Sequence, residues 1–279
     1  MTHPPGERDL PLIVSDHEVA TDDGALFTRV WQPIAAPGET DGGTGAAILL
    51  FHDSLGCVEL WRDFPAQLAT ATGRAVVAYD RLGFGRSAPH PGRLPVSFVT
   101  DEATIIVPQL LAGLRHVLPL DEFVAVGHSV GGGMAVATAA HLSARCRALI
   151  TVSAQSFVED RTRDGLHAAR IAFQQPGQID RLARYHGAKA PWVLAAWLDT
   201  WLDAGFAGWT LDALLPRVLA PALVLHGDAD EFGSVRHPER IAAGTGGPSR
   251  MVVLTGGGHV PHREQPTRVL DEITRFLGA

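Results

Sequence analysis

Short, almost unbroken apolar runs recur along the chain. They fall at 46–52 (AAILLFH), 74–79 (RAVVAY), 122–127 (EFVAVG), 148–153 (ALITVS), 222–226 (ALVLH) and 251–254 (MVVL). Runs this short with no polar alternation suit strands buried on both faces, as in a parallel sheet. Between them lie helical patterns near 60–72, 101–117, 129–142 and 241–244. A last one covers 266–277, where Pro266 stands at a favourable first helical position. The alternation predicts an α/β domain with a twisted, mainly parallel sheet flanked by helices. Residues 17–33 read differently: two strand-like halves flank Asp22-Asp23-Gly24, a hairpin signal.

One stretch breaks this rhythm. From 155 to 215 there is no strand pattern, and the sequence reads as helices through HAARIAFQQ, QIDRLARYHG and PWVLAAWLDTWLDAGFAGW. The expectation is a core domain built from 1–154 and 216–279, with 155–215 inserted as a helical cap. An insertion leaving from strand ends would cover the face where such sheets bind ligands. It carries Trp192, Trp197, Trp201 and Trp209, together with Phe173 and Phe206. Most of these rings are expected to form the core of a small cap.

Composition narrows the classes. The chain has 279 residues, 46% hydrophobic and 19% charged, enough apolar material for a full core. A net charge of -7 without a Lys/Arg cluster speaks against nucleic acid as a partner. Two cysteines, Cys57 and Cys146, suggest neither a zinc site nor a disulfide framework. The opening MTHPPGERDLP lacks the basic start and apolar stretch of a signal peptide, and no run reaches the about 20 apolar residues of a membrane helix. A cytoplasmic protein without membrane or nucleic-acid partners, single or as a homodimer, is expected.

The chemistry centres on Gly127-His128-Ser129-Val130-Gly131, a G-x-S-x-G between a strand and a helix pattern. Such a turn holds a serine in a strained backbone conformation with its hydroxyl projecting, and leaves no room for flanking side chains. The helix that follows offers free N–H groups to a developing oxyanion. The motif alone also fits an ordinary tight turn. A serine needs an imidazole as base and a carboxylate to orient that ring. Of 13 histidines, His259 follows the last strand on a flexible Gly256-Gly257-Gly258 loop. His262 is the second choice, read otherwise as a surface residue, and His128 is too constrained by the turn to be the base. Asp228, Asp230 and Glu231 all follow the strand ALVLH. Asp230 lies past the Gly turn where it can swing toward a histidine, while Asp228 suits a turn-stabilising role.

The order Ser129, Asp230, His259, with the motifs His52-Asp53-Ser54-Leu55-Gly56, Asp80–Ser87 (DRLGFGRS), Gly127–Gly132 and Gly256–His259, resembles the α/β-hydrolase fold superfamily, in its capped, carboxylesterase-like serine hydrolase form. The resemblance runs from about His17 to Leu277. It implies Ser129 as nucleophile, His259 as general base and acid, Asp230 as orienting carboxylate, and the backbone N–H groups of Val130 and Ser54 as the oxyanion hole. It calls for no metal or organic cofactor. Where the family usually has His-Gly, this chain has His52-Asp53. An inward, ionised Asp53 would repel an oxyanion, so its side chain is expected to turn away into a backbone hydrogen bond; the alternative is a specificity element.

An apolar pocket walled by Leu55, Phe84, Trp197 and Trp201 completes the expected site, with a small to medium ester as substrate. Lactone hydrolysis, carbon–carbon bond hydrolysis and perhydrolysis fit the same motifs. A receptor-like protein with little turnover is the alternative of a different class.

Overall fold

In the computed structural model, residues 11–34 and 45–278 are described. The opening residues read above for a leader lie outside them, apart from Pro11. Among the described residues eight strands form one sheet: β1 (Leu12–Thr21), β2 (Gly24–Pro33), β3 (Ala47–Phe51), β4 (Val76–Tyr79), β5 (Phe123–His128), β6 (Cys146–Val152), β7 (Ala222–Gly227) and β8 (Ser249–Leu254), in the order β1-β2-β4-β3-β5-β6-β7-β8. The β1–β2 hairpin turns at Asp22-Asp23 and joins β4 antiparallel; all later pairings are parallel. The mainly parallel sheet matches the strand–helix alternation of the sequence.

Every residue of β3, β4, β5 and β7 is buried, because helices cover both faces. Alternate residues sort into two cores. Leu49, Phe51, Val77, Tyr79 and Ala125 face one, together with α2 (Phe98–Asp101), α3 (Val107–Gly113) and α4 (Val130–His141). Ile48, Leu50, Val76, Ala78 and Val126 face the other, under α1 (Phe64–Thr72) and the C-terminal helix (Pro266–Leu277).

Between β6 and β7 run α5 (Asp160–Ala172), α6 (Gln178–His186) and α7 (Ala190–Trp201). These helices do not keep a core to themselves, as had been expected of their aromatic residues. Leu166, Leu198, Trp201, Phe206 and Leu211 merge into the first sheet core, and a small satellite of Phe84, Leu182, Ala190 and Val193 is separate. A segment this short gains more by burying its rings on the sheet domain than on itself. α7 stops at Trp201, earlier than the pattern suggests, since Gly205 and Gly208 favour turns over helix.

Boundaries moved elsewhere too. α2 begins ahead of the expected 101 and runs into α3 through a π turn, Glu102–Ile106, where buried Glu102 accepts the Tyr79 hydroxyl at 2.6 Å. α8 (Arg236–Gly244) is longer than its pattern, and the short α9 (Pro261–Glu264) precedes α10, the C-terminal helix. Among the described residues no helix is long and apolar enough to cross a membrane.

Candidate active site

Ser129 sits between β5 and α4 with φ 57°, in the left-handed region that side-chain-bearing residues avoid. Its neighbours explain how the turn closes so tightly. A Cβ at Gly127 would run into the Gly131 carbonyl, and one at Gly131 into the Phe51 carbonyl. The Ser129 N–H donates to the Val152 carbonyl at 3.0 Å, which anchors the turn to β6.

His259 arrives from the loop after β8. Its Nε2 lies 3.0 Å from Ser129 Oγ, and its Nδ1 lies 2.9 Å from both carboxylate oxygens of Asp230. Asp230 is buried on the loop after β7, and its Oδ1 also accepts the N–H groups of Phe232 (2.8 Å) and Gly233 (3.1 Å). Burial opposes its ionisation, yet the His259 ring and the Phe232 N–H hold its carboxyl below the usual carboxylate range. The structure thus brings Ser129, Asp230 and His259 into one hydrogen-bonded chain. Asp228 instead accepts the Gly256 N–H at 2.7 Å, linking the two loops, and Glu231 is exposed.

The His259 loop is held from two sides. His128 Nε2 donates to the His259 carbonyl at 2.7 Å, and the Glu264 carboxylate accepts the N–H groups of Gly258 (2.5 Å) and Val260 (3.0 Å). His262 is not a surface residue. Its ring is buried against Trp61 (4.8 Å), Phe64 (5.3 Å) and His128 (4.7 Å), because α9 turns it inward. Burial there pushes its pKa well below the ordinary value.

The loop after β3 shows how Ser54 is presented. The Asp53 carbonyl faces His52 Nδ1 at 2.8 Å and accepts Arg81 Nη2 at 2.9 Å and the Gly56 N–H at 3.2 Å. That carbonyl and the Ser54 N–H belong to one trans peptide and point in opposite directions. Three donors on the carbonyl therefore turn the Ser54 N–H away from them, and Ser54 lines the cavity. Val130 is the first residue of α4, so its N–H has no acceptor within the helix. Asp53 Oδ1 accepts the Leu55 N–H at 2.8 Å and Oδ2 lies 3.4 Å from His128 Nδ1. Burial works against its charge, but the His128 ring and the Leu55 N–H hold its carboxyl far below the ordinary range.

A cavity of about 180 Å³ opens above the serine. Its apolar walls are Leu55, Leu166, Trp197, Trp201, Phe232 and Val260; its polar lining includes Asp53, Gln155 and Thr162. Of the four residues expected as pocket walls, Leu55, Trp197 and Trp201 line this cavity. Phe84 does not line it. Its ring is buried under the Arg81 guanidinium (4.1 Å) and against His52 (5.1 Å), where it backs the loop after β3 from behind. Gln155, unremarked in the sequence, brings its amide 3.1 Å from Ser129 Oγ. Its place just beyond a parallel strand's C-terminal end is the one signal that could have found it. Burial pushes the Cys57 thiol up to about 12 and Cys146 to about 11, which leaves both as neutral packing groups at ordinary pH.

The sequence profile described as "Alpha/beta hydrolase family" matches residues 48–272. The human protein named Serine hydrolase BPHL is 27% identical over 242 residues, covering 82% of this chain and 77% of its own length. The fold is that of a proline iminopeptidase from Mycobacterium smegmatis (TM-score 0.72, 20% identity, 95% of this chain and 98% of that one). It is also that of an enol-lactonase from Burkholderia xenovorans LB400 (TM-score 0.69, 20% identity, 94% and 100%). With the profile spanning β3 to the last helix, the chain belongs to the alpha/beta hydrolase family and is a hydrolase.

Proposed function

We propose that this chain is a serine hydrolase that cleaves a small, largely apolar carboxylic ester through an acyl-enzyme. One observation carries the reading: Ser129 Oγ, His259 Nε2 and the Asp230 carboxylate form a continuous chain of 2.9–3.0 Å contacts opening onto the apolar cavity. Asp230 keeps the proton on Nδ1, so Nε2 is free to take the serine proton as Oγ attacks the ester carbonyl. The N–H groups of Val130 and Ser54 receive the oxyanion. His259 then protonates the departing alcohol, and a water repeats the sequence to release the acid.

The family resemblance and the human serine hydrolase relative support the serine mechanism. The cavity's volume and apolar walls favour short acyl groups. A lactone differs from an open-chain ester only in the tether joining its two halves, so it belongs in the substrate panel. Purified protein should hydrolyse p-nitrophenyl acetate and butyrate faster than octanoate, and a fluorophosphonate should label Ser129. No turnover of any ester or lactone together with no labelling would overturn the proposal and favour a receptor-like role.

A further inference from the structure

Three residues other than glycine have a positive φ among the described residues: Arg62, Ser129 and Ser153. Ser153, at φ 48°, directly follows β6, the strand beside β5. Such backbone is strained and persists only where its surroundings impose it. The turn carries Gln155 over the serine. Backbone on both sides is tied: the Ser153 N–H donates to the Leu225 carbonyl (2.9 Å), the Ser156 N–H to His237 Nδ1 (3.1 Å), and the Leu211 N–H to the Ser156 carbonyl (2.9 Å). Gln155 itself is 5% exposed and lines the cavity.

Proton counting decides which end of its amide faces Ser129. Both Asp230 oxygens 2.9 Å from His259 Nδ1 can only accept, so Nδ1 carries a proton. In the neutral ring Nε2 is then an acceptor, and the proton it needs is the Ser129 hydroxyl's, 3.0 Å away. A hydroxyl has one proton. Once that is directed at His259, Oγ offers Gln155 lone pairs alone. A half-turn about the terminal bond of the amide exchanges Oε1, 3.1 Å from Oγ, for the Nε2 donor.

We propose that Gln155 is a further catalytic residue, whose amide N–H donates to Ser129 Oγ whenever that oxygen carries charge. The inference rests on the serine-hydrolase reading. In acylation the O–H bond of Ser129 breaks as its bond to the acyl carbon forms; the proton passes to His259 and on to the alcohol oxygen as the ester C–O bond breaks, leaving His259 neutral again. In deacylation water adds to that carbon and gives its proton to His259. The bond from carbon to Oγ then breaks, and His259 returns the proton to Oγ, releasing the carboxylic acid. Gln155 is not consumed in either half. Its donor matters most in the second, where Oγ is the leaving group and carries negative charge until it is reprotonated.

Gln155→Leu removes the donor at similar volume, and Gln155→Glu keeps an acceptor but no donor. With p-nitrophenyl butyrate both variants should lose about 10- to 100-fold in kcat, the range for a hydrogen bond to a charged group. Both should also show a burst of p-nitrophenolate as acyl-enzyme accumulates. Wild-type turnover in the Glu variant alone would mean that the amide accepts, and would overturn the proposal. Wild-type turnover in both would mean that Gln155 only fills space, with the same consequence. A measurement without a Gln155 variant covers a failure to fold: the Gln155 side-chain NH2 resonances should shift when Ser129→Ala removes Oγ, and unmoved resonances overturn the proposal. Failure of the underlying reading would show differently, as wild-type protein that neither turns over esters nor takes the fluorophosphonate label.

Discussion

The strand ends and the helical segment after β6 build the same cavity by different means. At the strand ends, position comes from the backbone over a few residues. Gly127 and Gly131 allow a contact that any side chain would block, and the trans peptide of Asp53–Ser54 aims an N–H by holding its carbonyl. The helical segment is placed by side chains reaching far along the chain. His186, at the end of α6, accepts the Gly85 N–H at 2.8 Å and donates to the Leu55 carbonyl at 3.0 Å. Lys189 Nζ donates to the Phe84 carbonyl at 3.3 Å, and Thr162 to the Phe232 carbonyl at 2.8 Å. Glu159 accepts the Ser234 N–H at 2.6 Å and lies 3.1 Å from His237 Nε2. The difference separates two kinds of control. The turn at Ser129 is set by stiff local geometry, while the walls hang on individual long-range bonds that can be changed one at a time.

The sharpest way to test that separation is to remove the chemistry alone. Ser129→Ala and His259→Ala should each lower kcat by about 10⁴-fold or more, with the double variant no worse, while thermal melting stays close to wild type. Next in size is the backbone itself. Gly131→Val should destabilise by more than about 4 kcal/mol in denaturant titration, since its Cβ meets the Phe51 carbonyl of β3 rather than a movable side chain. Arg81→Met removes one of the donors aiming the Ser54 N–H. It should lower kcat by about 10²-fold with little change in KM, the pattern of a lost oxyanion donor.

On the other side of the comparison, His186→Phe removes the two bonds joining α6 to the strand-end loops. A cost of about 1–3 kcal/mol in stability and an altered preference among acetate, butyrate and octanoate are expected, with Ser129 labelling retained. The smallest single-residue difference is His186's share of the pH dependence. Burial lowers the pKa values of His52, His186 and His226 below the ordinary 6.5. As pH falls below about 6.5 the unfolded chain binds protons that the folded chain refuses, so stability drops. Each such histidine contributes at most about 1.4 kcal/mol per pH unit until its own folded pKa is reached. Melting temperatures from pH 8 to 5 should fall, less steeply in His186→Phe than in wild type; an unchanged slope would remove His186 from that set.

Much of the strand-end geometry was legible beforehand because its signals are short-range. Unbroken apolar runs betray strands buried on both faces, and glycines around Ser129 betray a close approach. The wall residues were less so. Trp197 and Trp201 line the cavity, yet Phe84, from a motif as recognisable as any, lies behind the loop after β3. Nothing within DRLGFGRS distinguishes a ring facing the cavity from one facing His52. His262, read as a surface residue near the final helix, differs for the same reason: Trp61 and Phe64, about two hundred residues away, bury it.

By itself the sequence determined the sheet, the strained turn at Ser129 and the order in which serine, acid and histidine arrive, because periodicity and backbone sterics act over a few residues. Only the tertiary structure decided how the outlying side chains meet. It selected the histidine within 3.0 Å of Ser129, turned the Asp53 carboxylate to Leu55 and His128, and brought Gln155 onto the serine oxygen. Those contacts join segments far apart in the chain, and their geometry exists only once the two cores have packed.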